Sequence, residues 1–237
     1  MTKENDPMGR AIAEYQTTGR AERLRVFSPM FDEDEIPVAT LFRDVDEMPA
    51  IEREALRLTR GATLDVGAGA GCHSLPLQAR GIDVTAIDIS PLAVETMRQR
   101  GVRRATEQDF YDTRGKYDTI LMLMNGIGIV GTLAEMPRFF SQLDRILAPG
   151  GQVLCDSSDI CYVFENEDGI IELPPGEGYY GEWEYRMQYR DTIGEPFAWL
   201  YIDPDTLAKQ ALRHGFRAEV IARGDHYDYL ALIQKSK

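Results

Sequence analysis

Residues 64–71 read LDVGAGAG, in which an acid lies between aliphatic residues and glycine then occupies every second position. Gly67, Gly69 and Gly71 directly follow a short apolar run that is typical of a buried strand. Glycine is entropically costly in a folded chain, so three at this spacing indicate a sharp turn that another molecule approaches closely. The stretch predicts a ligand-binding turn between a strand and a helix, with a purely structural turn as the alternative.

The overall composition limits the classes of partner. The chain has 237 residues, of which 43% are hydrophobic, and this is enough for the core of one large domain. The net charge of −13 and the scattered basic residues disfavour nucleic acid as a partner. The three cysteines, Cys72, Cys155 and Cys161, lack metal-ligand spacing and are expected to be free thiols. With no bilayer-length apolar run and no signal-peptide core, we expect a soluble cytoplasmic protein without a metal or membrane partner.

From residue 62 onward, short apolar runs alternate with amphipathic stretches, which predicts a parallel sheet with helices on both faces. Ser90 before Pro91, and Asp203 before Pro204, have the pattern of helix N-caps. The last two strands share a tight connection and should therefore pair antiparallel. The expected strands are ATLDVG, DVTAIDIS, RRATEQD, YDTILMLMNG, QVLCDSS, AEVIA and YLALIQK.

Two stretches lie outside this alternation. Residues 1–60 are helix-prone and acidic, and we expect a helical lid segment in which FDEDEIP and FRDVDEMP are loops. The remaining residues, 61–237, form the main domain. Within it, two alternating aromatic runs flank TIGE, which predicts an inserted β-hairpin at about residues 179–202. Its aromatic face packs onto the domain, lines a ligand site, or does both.

Acidic residues end the second and third strands of the main domain, and a further acid lies within the first. Asp88 ends the second strand, where a carboxylate can accept the hydroxyls of a ribose. Asp109 ends the third strand and precedes Phe110, so together they suit an adenine ring. The third glycine comes two residues after the second rather than three, and Asp65 would repel a pyrophosphate. These features favour S-adenosylmethionine (SAM) over NAD, and an NAD-dependent oxidoreductase is the less favoured alternative.

The motifs LDVGAGAG, AIDIS, EQDF and LMLMNG occur in an order that resembles the class I SAM-dependent methyltransferases. The likeness covers about residues 60–158. It implies an α/β fold whose seven-stranded, mostly parallel sheet has the order 3-2-1-4-5-7-6, with strand 7 antiparallel and helices on both faces. It also implies direct in-line methyl transfer that leaves S-adenosylhomocysteine (SAH). A non-catalytic SAM-binding protein is the alternative.

The resemblance also implies roles for individual residues. Residues 67–69 would approach the methionine part of the cofactor, and the carbonyl of Met124 with Asn125 would lie near its amino group and the methyl acceptor. His73 either contacts the cofactor carboxylate or packs at the start of a helix. The expected cofactor-binding residues are Asp65, Gly67, Ala68, Gly69, Gly71, His73, Asp88, Ile89, Asp109, Phe110, Met124, Asn125 and Gly126.

The sequence departs from several branches of this family, and the departures bear on the acceptor. It has MNGIGI in place of the Asn/Asp-Pro-Pro-aromatic motif of nucleobase-amine enzymes, and it lacks the paired glutamates of the protein-arginine branch. Asp156 and Asp159 have no clear third partner for a catechol-type metal site. We therefore expect a small-molecule acceptor. No catalytic residue is assigned, although Asp156 or a hairpin tyrosine is a candidate general base.

Overall fold

The computed structural model describes residues 1–173 and 178–236. The helices are α1 (Pro7–Thr18), α2 (Ala50–Leu58), α3 (Ser74–Ala79), α4 (Pro91–Arg100), α5 (Met136–Ile146) and α6 (Pro204–Arg213). The strands are β1 (Leu24–Ser28), β2 (Phe31–Ile36), β3 (Ala62–Val66), β4 (Asp83–Asp88), β5 (Ala105–Glu107), β6 (Tyr117–Met122), β7 (Leu147–Ser158), β8 (Glu182–Tyr189), β9 (Thr192–Ile193), β10 (Phe197–Leu200), β11 (Phe216–Arg223) and β12 (Asp228–Lys235).

The main sheet has seven strands in the order β5-β4-β3-β6-β7-β12-β11. The first five of these strands pair parallel, whereas β12 is antiparallel to both of its neighbours. Numbered from β3 within this sheet, the order is the 3-2-1-4-5-7-6 implied by the family resemblance, so that prediction is confirmed. The carboxyl ends of the parallel strands meet at one edge, where ligands bind in open α/β sheets.

Alternate residues of the central strands face two separate apolar layers, as expected for a sheet covered on both sides. Ile120 and Met122 pack in a cluster with residues of α5 and α6, including Phe140. Leu121 packs in another cluster with residues of α2 and α3, including Ile51. Both layers are fully buried at these strands, and the helices therefore lie on both faces of the sheet as predicted.

A second sheet, with strand order β10-β8-β1-β2, joins the two stretches that lay outside the predicted alternation. The strands β8 and β10 pair antiparallel, which confirms the inserted hairpin. The other edge of β8 pairs with β1 from the N-terminal segment. The expectation that FDEDEIP is a loop was wrong, because residues 31–36 form β2 and pair with β1. Ion pairs across this ladder, such as Arg25 with Glu33, allow a charged strand at the sheet edge.

Local signals in the sequence set the helix boundaries. Ser90 Oγ accepts a hydrogen bond from the N–H of Ala93 at 2.9 Å, and Asp203 Oδ1 accepts one from Thr206 at 2.9 Å. Helix α4 ends before Gly101, whose φ of 96° is left-handed. Among the described residues, no helix is both long enough and apolar enough to cross a bilayer.

Candidate cofactor site

The glycine turn joins β3 to α3 at the carboxyl edge of the main sheet, and its three glycines all have positive φ. The values are 65° at Gly67, 55° at Gly69 and 82° at Gly71. A Cβ at Gly67 or Gly69 would meet no atom within 4 Å, whereas one at Gly71 would lie 2.9 Å from Val102. The first two glycines therefore leave open space for a ligand, and the third permits close packing.

Asp88, at the end of β4, faces this turn. Its Oδ2 accepts a hydrogen bond from the Gly69 N–H at 2.9 Å, and its Oδ1 accepts one from the Ser90 N–H at 2.8 Å. Burial raises the pKa of this carboxyl to about 6. A carboxylate has further acceptor capacity beyond two hydrogen bonds, so Asp88 can fix the turn and still accept ligand hydroxyls.

Asp65 lies beneath the same turn, within β3. Its side chain is buried, and its Oδ2 accepts a hydrogen bond from Ser74 Oγ at 2.5 Å. Burial raises the pKa of Asp65. The contact joins the end of β3 to the first residue of α3, so Asp65 holds both sides of the glycine turn together.

A buried ionic cluster connects the turn to the N-terminal segment. His73 Nε2 lies 2.7 Å from Glu52 Oε2, and Glu52 also pairs with Arg43. Burial opposes protonation of His73, but the neighbouring Cys72, the hydrogen bond to Glu52 and the charge of Asp65 raise its pKa well above the ordinary value. His73 is therefore held by α2, an anchoring role that corresponds to the packing alternative for this residue.

Asp109 and Phe110 follow β5, as expected, but the two side chains have different environments. Asp109 Oδ1 accepts a hydrogen bond from the Tyr111 N–H at 2.7 Å and caps a short 3-10 turn. Phe110 is 4% exposed and belongs to the main core, with its ring centroid 5.9 Å from that of Phe139. Asp109 is exposed at the strand end, so it is the better placed of the two to meet a ligand.

The turn after β6 brings together three more of the expected residues. Met124 and Asn125 have φ values of 64° and 57°, and Gly126 follows them. The Met124 N–H donates to Asp156 Oδ2 at 3.0 Å, and the Gly126 N–H donates to Asp156 Oδ1 at 3.2 Å. Within the part of the chain that the structure describes, the buried Oδ1 of Asn125 has no hydrogen-bond partner. Ile89, also expected at the site, is half-exposed after β4.

Helix α1 covers the glycine turn, which the sequence did not predict in detail. Ile12 is fully buried in a cluster with Ala70 of the turn and Ala93 of α4, and Met124 packs against the same cluster. The N-cap of α1, Asp6, is also buried, and its Oδ2 accepts a hydrogen bond from Ser90 Oγ at 2.5 Å. The Asp-Pro start of α1 is a helix signal, but no local pattern indicates where the helix docks.

Arg100, on α4, adds a second connection to the glycine turn. Its Nη1 donates to the carbonyl of Ala70 at 2.6 Å, and its guanidinium lies 4.7 Å from the ring centroid of Phe42. The glycine turn is therefore held in place by contacts from both the N-terminal segment and α4.

The second sheet places an aromatic surface beside the turn after β6. A Cβ at Gly128 would lie 2.1 Å from Cε2 of Trp199, so the indole rests directly on this glycine. The hydroxyl of Tyr185 donates to that of Tyr201 at 3.0 Å. We call the following cluster the aromatic wall: Val26, Ile160, Tyr162, Tyr180, Trp183, Tyr185, Phe197, Trp199 and Tyr201.

Asp156 and Asp159 do not share a site. Asp156 contacts the turn after β6, whereas Asp159 Oδ1 accepts a hydrogen bond from Tyr180 Oη at 2.6 Å. Over residues 1–173 and 178–236, no group of three or more His, Cys, Asp or Glu residues is arranged to hold a metal ion.

Comparison with known proteins agrees with this geometry. A family profile described as "Methyltransferase domain" matches residues 64–155. A SAM-dependent methyltransferase from Bacteroides fragilis, whose crystal structure contains SAH, is 52% identical with a TM-score of 0.95. The match covers 100% of this chain and 98% of that one. The chain belongs to the SAM-dependent methyltransferases.

Two curated relatives of this methyltransferase match over a shorter region. A demethylmenaquinone methyltransferase of Tropheryma whipplei (strain Twist) is 33% identical over 40% of this chain and 41% of its own length. A ubiquinone biosynthesis O-methyltransferase of Caulobacter sp. (strain K31) is 32% identical over 43% of this chain and 40% of its own length. The matched part thus spans about two fifths of each curated relative.

Proposed function

We propose that this methyltransferase acts on a small-molecule acceptor that binds between the glycine turn and the aromatic wall. The observation that carries the proposal is the contact between Trp199 and Gly128, which brings the second sheet onto the turn after β6. One curated relative is named for demethylmenaquinone and the other for ubiquinone biosynthesis, and both names refer to small molecules. The strongly acidic chain and its scattered basic residues argue against a nucleic-acid acceptor.

The residues around the glycine turn fit SAM, because Gly67 and Gly69 leave space where a side chain would otherwise stand. We assign residues 67–69 to the methionine part, Asp88 to the ribose and Asp109 to the adenine. The carbonyl of Met124 and the side chain of Asn125 are assigned to the amino group. Asn125 Oδ1 supports the last assignment, since an unpaired buried acceptor is satisfied by an N–H donor.

SAM supplies an electrophilic methyl group on a positively charged sulfonium. The protein's part is to hold the acceptor atom in line with that methyl group and to exclude water. With SAM bound, a lone pair of the acceptor would form the new bond to the methyl carbon while the sulfur–carbon bond breaks and its electrons return to sulfur. The aromatic wall can orient a small acceptor by packing. Residues 1–60, which include helix α1, act as the lid over the cofactor.

A point substitution tests this proposal better than a deletion of the hairpin. Deleting residues 179–200 would remove β8, which is the partner of both β10 and β1, and would unpair the second sheet. Trp199→Ala is a milder variant, because it removes the indole from the turn and leaves the strand backbone in place. Ile193→Ala is the matched control, since Ile193 belongs to the same insertion and is exposed.

The assay has two parts. Calorimetry measures SAH affinity, and incubation of metabolite extracts with methyl-labelled SAM measures transfer to small molecules. We expect wild-type protein and Ile193→Ala to form labelled product, and Trp199→Ala to lose most of it with SAH affinity within a few-fold of wild type. SAH binding without any labelled small molecule from wild-type protein would contradict a small-molecule acceptor. Normal transfer by Trp199→Ala would place the acceptor elsewhere.

A further inference from the structure

The turn after β6 has an unusual backbone that needs an external support. In the described residues, positive φ at a residue other than glycine occurs at Met124, Asn125, Arg190 and Tyr227. Met124 and Asn125 are the consecutive pair in this set. A left-handed conformation is sterically unfavourable for residues with a Cβ, and it persists where the surroundings determine it.

The support comes from Asp156 on the neighbouring strand β7. Its side chain is buried, and each of its two oxygens accepts one backbone N–H of the turn, from Met124 at 3.0 Å and from Gly126 at 3.2 Å. The two hydrogen bonds lie before and after Asn125, and they hold the peptide groups between Leu123 and Met124 and between Asn125 and Gly126. A carboxylate is well suited to this role because it presents two acceptor oxygens and no donor.

The low accessibility of this carboxylate, and not its pKa, argues against the alternative role of general base. Burial raises the pKa of Asp156 to about 7, since removal from water and the nearby Glu52 oppose its charge. The hydrogen bonds from the two N–H groups act in the other direction and lower this pKa, because they stabilise the charged carboxylate. Asp156 is 5% exposed, so an acceptor molecule has little access to its oxygens.

The turn that Asp156 supports contacts both parts of the proposed active site. On one side, Met124 packs against the cluster of Ile12 and Ala70, and Ala70 belongs to the glycine turn. On the other side, Gly128 lies against Trp199 of the aromatic wall. A shift of this turn would therefore move the cofactor relative to the acceptor, and methyl transfer depends steeply on that alignment.

We propose that Asp156 is a positioning residue that holds residues 124–126 in the conformation that binds the cofactor. It acts through the turn and contacts neither reactant. This inference rests on the proposed assignment of Met124 and Asn125 to the cofactor. In this assignment Asp156 has a structural role in the active site and is not the general base.

The test is a double-variant cycle that uses SAH as the probe. In Asp156→Asn, one oxygen becomes an NH2 group, so one N–H of the turn loses its acceptor. We expect SAH affinity to fall about tenfold. Glycine adopts the left-handed conformation without the Cβ penalty, so Asp156→Asn should cost much less when it is introduced into Met124→Gly. Cys155→Ala is the matched control, because Cys155 is the buried neighbour on β7 and packs in the main core.

The outcomes separate this inference from the function on which it rests. Wild-type protein that does not bind SAH would contradict the proposed function itself. Wild-type binding with unchanged affinity in Asp156→Asn would overturn the positioning role, and so would an equal loss in the Met124→Gly background. A similar loss in Cys155→Ala would show that the effect is general destabilisation of β7. If Asp156→Asn does not fold, Asp156→Ser retains one acceptor oxygen in a smaller side chain, and the same comparisons apply to it.

Discussion

Replacement of Asp88 by alanine should weaken SAH binding by about 3 kcal/mol, which is roughly a hundredfold in Kd. Two ribose hydroxyls donating to a carboxylate are worth about 1.5 kcal/mol each at the low end of charged hydrogen bonds. The same variant removes the acceptor for the Gly69 N–H, which in the wild type lies 2.9 Å from Asp88 Oδ2. Asp88→Asn keeps one acceptor oxygen, and it should therefore lose about half of the free energy, or roughly tenfold.

Calorimetry with SAH at pH 8 measures the effect, because Asp88 is ionised well above its pKa of about 6. Asp83→Ala is the matched control, since Asp83 is exposed at the opposite end of the same strand and pairs with Arg104. Near-ultraviolet circular dichroism reports whether each variant is folded. A folded Asp88→Ala protein that binds SAH within threefold of wild type would refute the ribose assignment.

Three further expectations concern the same site. The raised pKa of Asp88 implies that its acceptor form is lost as the pH falls through about 6, so SAH affinity should be about tenfold lower at pH 5 than at pH 8. This step should be absent in Asp88→Asn. Gly9→Ala places a Cβ 2.3 Å from Ser90 Oγ, so it should undock α1 and raise the SAH dissociation rate in stopped-flow measurements, whereas an unchanged rate would contradict the lid assignment. Glu52→Gln leaves Arg43 without its carboxylate partner and should lower the free energy of unfolding in urea by about 3 kcal/mol, while a loss below 1 kcal/mol would show that water replaces the contact.

The main sheet was predictable because each of its signals is local in the sequence. Apolar runs mark the strands, and the positions of glycine and acidic residues at their ends mark the ligand edge. The paired strands β11 and β12 follow from their short connection. These features do not depend on which distant segments come together, so the strands, the ligand edge and the cofactor class could be inferred from them. The strand order was instead implied by the resemblance to the class I methyltransferases.

The second sheet could not be predicted in the same way. Its central pair joins β1 to β8, for example Leu24 opposite Tyr189, and no local pattern records a pairing between such distant segments. Strand β2 was also hidden, because the acidic FDEDEI lacks the apolar alternation of a half-buried strand. The charge of Glu33 on β2 is paired with Arg25 of β1 across the ladder.

The roles of individual site residues were likewise predictable only in part. The positions of Asp65, Asp88 and Asp156 at strand ends were visible in the sequence, but their hydrogen-bond partners were not. Asp156 was one candidate for a base because it is an acid beside the active edge. Its pairing with the N–H groups of Met124 and Gly126 depends on a left-handed turn that no residue in MNGIGI specifies by itself.

The pairing of β1 with β8 has a consequence for the order of events during protein synthesis. Strand β1 leaves the ribosome long before β8 is translated, so its second edge remains without a native partner for most of elongation. An unpaired strand edge invites association with other nascent chains, and charged side chains on the adjoining strand discourage it. The acidic residues of β2 can therefore protect the growing chain, quite apart from anything that they contribute to the finished enzyme.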